Sequence, residues 1–250
     1  MENPISKKDE YRKELSLIRD WEPFLLEHSG LPGPRGNIEL AQAVAEDGSS
    51  ELFEHYRSFT PEIAPVNSQQ EFLAFCGVLG LGRLIKEGQS ELLDTLRNFA
   101  SDSRWRIREA VAMALQSASE TDMTMVINEM DKWSKSSPLE QRAAAAALCE
   151  PRLLGDPKNV EAVLRILDSI TRSILEIKER KAEDFLVLRK GLAYCWSVAV
   201  AANPVIGKRI MEKWFGTDDM DIRWIMRENL KKKRLEIKDR NWVEMWRCKV

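Results

Sequence analysis

The stretch Asp102-Ser103-Arg104-Trp105-Arg106-Ile107-Arg108-Glu109 returns in altered form as Asp221-Ile222-Arg223-Trp224-Ile225-Met226-Arg227-Glu228. The two copies share the frame Asp-x-Arg-Trp-x-x-Arg-Glu, with five identities in eight positions. Apolar residues at helical spacing follow the start of each copy, so each is predicted to open a helix. A motif that recurs at helix starts indicates a chain built from repeated units.

The composition excludes some functional classes. The chain has 250 residues, of which 44% are hydrophobic and 31% charged, and this is typical of a soluble globular protein. Its net charge of −2 argues against a protein that attracts nucleic acid through its overall charge. The charge is uneven, since residues 207–250 carry +5 and residues 1–206 carry −7. The result is a mildly basic C-terminal region on an acidic body.

The cysteines and the apolar runs bear on location. The four cysteines are far apart and form no Cys-x-x-Cys pair, so neither a disulfide framework nor a zinc signature is predicted. The start of the chain, Met1-Glu2-Asn3-Pro4, lacks the apolar core of a signal peptide, and we expect no apolar run of membrane-spanning length. These observations predict a cytoplasmic protein without membrane contact.

Helical periodicity continues along nearly the whole chain, and strand patterns are missing, so the predicted fold class is all-α. A first helix is predicted over residues 5–28, with Pro23 as a kink or a boundary. Asn37 is a candidate N-cap for a helix that reaches about Glu46. The further predicted helices include 50–59, 104–118, 205–215 and one over 222–235.

Arginines give the register of the repeat. Arg108, Arg142, Arg189 and Arg227 each lie near the start of a predicted second helix, at intervals of 34, 47 and 38 residues. Such intervals fit units of helix, short turn and helix. Hairpins that bury only one face must stack on neighbours to complete a core, so stacked antiparallel helix pairs are predicted.

These residues resemble the HEAT-repeat (armadillo-like) family, in which a turn aspartate precedes an arginine by six positions. Asp102 with Arg108 and Asp221 with Arg227 fit that pattern, Glu183 with Arg189 keeps the charge, and Ser136 with Arg142 departs from it. The resemblance implies an α-solenoid (an α-α superhelix) with a ladder of such pairs between adjacent repeats. It covers about residues 70–235 of a single domain, with 1–66 as an irregular helical N-terminal cap and 236–250 as a C-terminal cap.

Several residues are candidates for binding, each beside a structural alternative. Trp105 and Trp224 are either exposed stacking platforms for bases or packing residues, and packing is favoured. Lys231, Lys232, Lys233 and Arg234 form either a patch for an anionic partner or a solvated helix end.

Two further stretches of the sequence are rich in glycine. The loop Gly30-Leu31-Pro32-Gly33-Pro34-Arg35-Gly36 is either a rigid recognition loop with Arg35 at its tip or a hinge between the N-terminal cap and the repeats. Gly77, Gly80 and Gly82 lie in an apolar helical run that follows no strand. They therefore indicate close helix approach rather than a dinucleotide loop.

No catalytic set is apparent. His28 and His55 are the only histidines, and no motif for a cofactor, a metal or a nucleophile stands out. We therefore expect a non-catalytic scaffold that binds another protein on a curved helical surface. The alternative is a nucleic-acid-binding protein, since the architecture is similar to that of alkylation-repeat DNA glycosylases. That resemblance would give roles to Trp105, Arg108, Trp224 and Arg227.

Overall fold

The computed structural model describes residues 5–249, and in this range it contains fifteen α-helices and no β-strand. The predicted all-α fold class is therefore confirmed. The chain divides into two compact units, an N-terminal unit of residues 1–118 and a C-terminal unit of residues 119–250.

The N-terminal unit is built around one long helix, α5. Its helices are α1 (Lys7–Ser16), α2 (Glu22–His28), α3 (Ile38–Asp47), α4 (Ser50–Arg57), α5 (Gln69–Lys86), α6 (Leu92–Phe99) and α7 (Trp105–Ser119). The helices α2, α3, α4 and α6 all pack against α5. Every residue from Glu71 to Gly82 is buried, because this stretch of α5 is surrounded on all sides.

The glycines of α5 permit this close packing. A Cβ atom at Gly80 would lie 2.3 Å from the ring of Phe53 on α4. At Gly82 it would lie 2.5 Å from the main-chain oxygen of Ala114 on α7. Any side chain at these positions would push the neighbouring helices away. The prediction that the glycine-rich stretch serves helix approach is confirmed.

The single helix predicted over residues 5–28 is wrong. The structure has two helices there, since α1 ends at Ser16 and α2 begins at Glu22. Pro23 stands in the first turn of α2, where its missing N–H group leaves no helical hydrogen bond unmade. The amide of Glu22 donates to the carboxylate of Asp20 at 3.2 Å. Pro23 thus marks a boundary and not a kink.

The C-terminal unit has its own central helix, α11. Its helices are α8 (Met123–Trp133), α9 (Pro138–Leu148), α10 (Pro157–Ser173), α11 (Glu183–Ala202), α12 (Pro204–Glu212), α13 (Met220–Leu230), α14 (Lys233–Lys238) and α15 (Arg240–Arg247). The helices α9, α10, α12, α13 and α14 pack against α11. Trp133, Trp196 and Trp214 are buried in this unit.

Helix α11 is also long and apolar enough to cross a membrane, the one such helix among the described residues. It has 20 residues with a mean hydropathy of 1.4. The expectation that no apolar run reaches this length is therefore wrong. More than half of the stretch is buried within the protein, and a core helix of a water-soluble fold has the same properties, so the length is weak evidence for a membrane span.

The helix predicted over residues 222–235 is interrupted. α13 ends at Leu230, whose carbonyl oxygen accepts hydrogen bonds from Nε and Nη2 of Arg247 at 3.1 and 2.8 Å. A side chain of α15 therefore satisfies a carbonyl that a longer helix would use internally. The chain restarts as α14 at Lys233, so the basic run begins in the junction after α13 and ends in the first turn of α14.

Candidate functional site

The Pro/Gly-rich loop between α2 and α3 is held by hydrogen bonds at its base. The hydroxyl of the buried Ser29 accepts from the amide of Leu31 at 3.1 Å, and the amide of Asn37 donates to the Ser29 carbonyl at 2.9 Å. Gly30 has φ +74°, and a Cβ there would lie 2.9 Å from the carbonyl oxygen of Arg35. Only glycine fits this position. The loop is a closed, locally anchored segment.

Asn37 also starts the next helix. Its side-chain oxygen accepts from the amide of Leu40 at 3.1 Å, so the predicted N-cap of α3 is confirmed. The amide group of the same side chain donates to the carbonyl of His28 and to the hydroxyl of Tyr11 at 3.0 and 2.9 Å. One residue therefore joins the loop, α1 and α3.

A buried ion pair beneath the loop connects it to α5 and α7. Nη1 of Arg106 lies 3.0 Å from Oε2 of Glu71, and that oxygen also accepts from the amide of Asn67 at 2.7 Å. Nη2 of Arg106 donates to the carbonyl of Gly33 at 2.7 Å. Two atoms of the pair, Arg106 Nε and Glu71 Oε1, are buried without a hydrogen-bond partner. Buried groups of this kind are uncommon and call for an explanation.

A cavity of about 230 Å³ lies between the loop, α3, α5 and α7. Its apolar walls are Leu31, Gly36, Ile38, Phe72, Phe75, Trp105 and Met113. The ten lining residues include no histidine, cysteine or serine, so the lining offers no nucleophile or imidazole base. Cavities of about 150 Å³ hold a benzene molecule, so this one has room for one aliphatic or aromatic side chain.

Three charged side chains border the cavity: Arg35, Arg106 and Glu109. Arg106 is balanced by Glu71, and Glu109 has an interaction partner of its own. Arg35 is exposed, and within the described residues its guanidinium makes neither an ion pair nor a hydrogen bond. Beside it, α3 begins at Ile38 with the partial positive charge of a helix N-terminus.

Trp105 lies at the opening of α7 and is 46% exposed. The guanidinium carbon of Arg106 lies 4.5 Å from the centre of its ring, so one face of the indole is covered. The same tryptophan lines the cavity. Part of the indole ring therefore packs against protein and part is exposed to solvent, so Trp105 has features of both a packing residue and an exposed platform.

Two of the sequence-predicted binding residues, Arg35 and Trp105, thus meet at one cavity. The residues that complete it were not singled out as a site from the sequence. Phe72 and Phe75 have the helical spacing of core residues, and Arg106 has no counterpart in the second copy of the motif, where Ile225 occupies its position. This replacement of an apolar residue by arginine is the one feature of the sequence that could have indicated a special role for Arg106.

Trp224, in the second copy, is half-buried in the C-terminal unit. The guanidinium carbon of Arg189 lies 4.0 Å from its ring centre. Nε of Arg189 lies 3.1 Å from Oδ1 of Asp221, although that N–H has no well-aligned acceptor, so the contact is an ion pair rather than a hydrogen bond. Arg180 also contacts Asp221, at 3.2 Å. Asp221 of α13 is therefore bound to arginines from outside its own helix.

In the first motif, two arginines bind Asp102, one through its carboxylate and one through its main chain. The carboxylate of Asp102 lies 2.8 Å from Nη2 of Arg104, whereas Nη1 of Arg108 donates to the main-chain oxygen of Asp102 at 2.6 Å. Glu183 is exposed in the first turn of α11, and Arg189 contacts Asp221 instead.

The remaining ladder arginines belong to the C-terminal unit. Arg142 is half-buried on α9 and Arg227 is exposed on α13, and both have interaction partners.

The basic run lies at the junction of α13 and α14. Lys231 contacts Glu228 at 2.5 Å, and Lys233 is exposed. Nη2 of Arg234 donates to the hydroxyl of Tyr194 at 2.6 Å, with its guanidinium 4.4 Å from the ring centre, and Nζ of Lys232 lies 6.0 Å from the same ring. Half of the run is therefore engaged with one tyrosine of α11.

The thiols offer no reactive group to the cavity. Cys76, Cys149 and Cys195 are buried and Cys248 is exposed. Burial raises the pKa of the Cys76 thiol and raises the pKa of the Cys149 thiol well above the ordinary range. Among residues 5–249 no three His, Cys, Asp or Glu side chains are grouped so as to hold a metal ion.

Comparison with known proteins gives no assignment: the chain matches no family model, no curated protein and no solved structure.

Proposed function

We propose that this protein is a non-catalytic binding scaffold that holds a partner protein by an apolar side chain seated in the cavity beside Trp105. The observation that carries the proposal is the combination of that cavity with a 46%-exposed tryptophan at its edge. Tryptophan and arginine around a desolvated pocket are the typical composition of a binding hot spot. Burying a leucine or phenylalanine side chain contributes about 1.5–3 kcal/mol, which is enough for one anchor to dominate a modest interface.

The finer fold class belongs to the same proposal. We propose a HEAT-like α-solenoid, supported by the recurring motif and by the contact of Arg189 on α11 with Asp221 on α13. In the HEAT-repeat family, acid–arginine pairs of this type would connect corresponding helices of adjacent repeats. An extended helical surface around the cavity would supply the remaining contact area with the partner.

A selection from a random peptide library tests the proposal directly. Gly36→Leu is the diagnostic variant, because a Cβ at Gly36 meets nothing closer than 3.7 Å, so the backbone accepts a side chain that fills the cavity. Gly216→Leu is the matched control, since a Cβ there meets nothing within 4 Å and lies in the other unit. We expect selected peptides to share an apolar anchor and to lose at least tenfold in affinity with Gly36→Leu alone. Equal binding to both variants would refute the cavity as the docking site.

Nucleic-acid binding is the competing proposal, and it depends on the tryptophans and the basic run. One face of Trp105 and one face of Trp224 are each covered by an arginine, which lowers the area available for stacking on bases. Titration with single-stranded and duplex DNA at low and moderate salt decides it, because phosphate contacts produce a strong salt dependence. Tight, salt-sensitive binding that survives Gly36→Leu would favour this alternative.

A further inference from the structure

Resting on the proposed function, we infer that the cavity takes the C-terminal residue of the partner protein, with its apolar side chain inside and its free carboxylate bound by Arg35. The charges around the cavity give the first reason. Arg35 is the one bordering charge without a partner, since Arg106 pairs with Glu71 and Glu109 is engaged. An apolar ligand that carries a single negative charge complements this arrangement.

The fold adds further positive potential at the same place. Helix α3 has ten residues and begins at Ile38, which lines the cavity. The Asn37 side chain accepts only from the third amide of the helix, that of Leu40, so the first amides point out of the helix without a side-chain cap. Carboxylates bind at helix N-termini through such amides and through the helix dipole.

Arg106 is a second, largely buried cation at the cavity wall, and it pairs with Glu71 at 3.0 Å. Its side chain is only 8% exposed and borders the cavity, yet its Nε–H group has no acceptor. A buried donor of this kind is normally satisfied. That Nε atom is inaccessible from the cavity, so a carboxylate that enters beside Arg35 contacts Arg35 and the first amides of α3 rather than Arg106.

A terminal residue fits better than an internal acidic residue. In a C-terminal leucine or phenylalanine the side chain and the carboxylate leave the same Cα atom, so both reach one small cavity with one cation at its border. The volume of about 230 Å³ accommodates a single side chain of that size.

Matched fluorescent peptides test the inference. Pentapeptides ending in phenylalanine or leucine are compared as free acids and as C-terminal amides, by fluorescence polarisation against the full chain. We expect the acids to bind at least tenfold more tightly, a difference of about 1.4 kcal/mol. Arg35→Gln is expected to abolish this preference. Arg19→Gln, which changes another exposed arginine of the same unit that does not line the cavity, is expected to leave it intact.

The outcomes separate this inference from the proposed function. Acids and amides that bind equally, and that both lose binding with Gly36→Leu, would overturn the carboxylate site while leaving the apolar docking site in place. A small acid such as 3-phenylpropionate that binds as tightly as the peptide acids would overturn the partner's C-terminus as the source. Peptides that bind only through an internal Asp or Glu would also overturn it. Acid-selective binding that Arg35→Gln removes and Arg19→Gln does not would support the inference.

Discussion

Replacing Asp102 by alanine should destabilise the N-terminal unit strongly, because it removes the counter-ion of a buried arginine. Arg104 is 1% exposed. The Asp102 carboxylate accepts from the amide, Nε and Nη2 of Arg104 at 2.7, 3.0 and 2.8 Å. Nη1 keeps its two acceptors, the carbonyls of Phe59 and Ala64 at 2.9 and 3.1 Å. The variant therefore leaves a charged group in the interior with part of its hydrogen bonding lost.

The magnitude follows from that environment. Removing one partner of a buried ion pair costs about 3–5 kcal/mol, which exceeds the roughly 1 kcal/mol of a lost helix cap. For a protein of this size each kcal/mol lowers the thermal midpoint by about 2–4 °C, so the midpoint should fall by roughly 6–20 °C. The hydrogen bond from Nη1 of Arg108 to the main-chain oxygen of Asp102 survives the substitution, because alanine retains that oxygen.

Circular dichroism at 222 nm during heating and urea titration measures the effect. Asp102→Asn keeps one acceptor oxygen and should give a smaller loss, and Asp94→Ala, at an exposed aspartate of α6, is the surface control. In the double variant Asp102→Ala with Arg104→Met the loss should be smaller than in Asp102→Ala alone, since no buried charge is left unpaired. An unfolding free energy for Asp102→Ala within 1 kcal/mol of the parent would refute this account.

Three further predictions concern other parts of the chain. Gly82→Ala should lower the free energy of unfolding by about 1–3 kcal/mol, because its Cβ would lie 2.5 Å from the Ala114 main chain, whereas Gly216→Ala should be neutral or slightly stabilising in the same urea titration. Titration with a thiol reagent should find one fast-reacting cysteine, Cys248, with the others reacting only in denaturant; a second fast thiol in native protein would contradict the burial of Cys76, Cys149 and Cys195. Asp239 accepts hydrogen bonds from Lys208 and from the amide of Trp242, which lower the pKa of its carboxyl. Its stabilising effect should therefore be complete above the unfolded-state pKa of about 4 and be lost as the pH falls through the lower folded-state pKa. Thermal melts of the parent and Asp239→Asn should accordingly differ at pH 7 and converge in acid.

The sequence predicted the helices better than their contacts. Periodicity located the buried faces, and the glycines of α5 predicted close approach, because both depend on local patterns of side-chain size. The interruption after Leu230 could not be predicted in this way, since the group that satisfies its carbonyl is Arg247, distant in the sequence. The motif spacing likewise gives no information on which arginine turns inward, so the buried pair of Asp102 with Arg104 could not be predicted from the sequence.

The candidate site was predictable only in part. Arg35 and Trp105 stood out, since a Pro/Gly-rich loop and a recurring tryptophan are unusual locally. Their meeting at one cavity depends on Arg106, which spans from α7 to Gly33 across 73 positions of sequence. A contact between residues so far apart in the sequence cannot be predicted from local sequence patterns.

The guanidinium groups of Arg104 and Arg106 have a consequence for how this protein can be dissected. Their acceptors include Phe59, Ala64 and Gly33, all within the first 66 residues. A fragment that starts after residue 66 would keep both arginines on α7 or just before it and lose these acceptors. The N-terminal 66 residues are therefore no detachable module, and shortened versions of the protein should retain them.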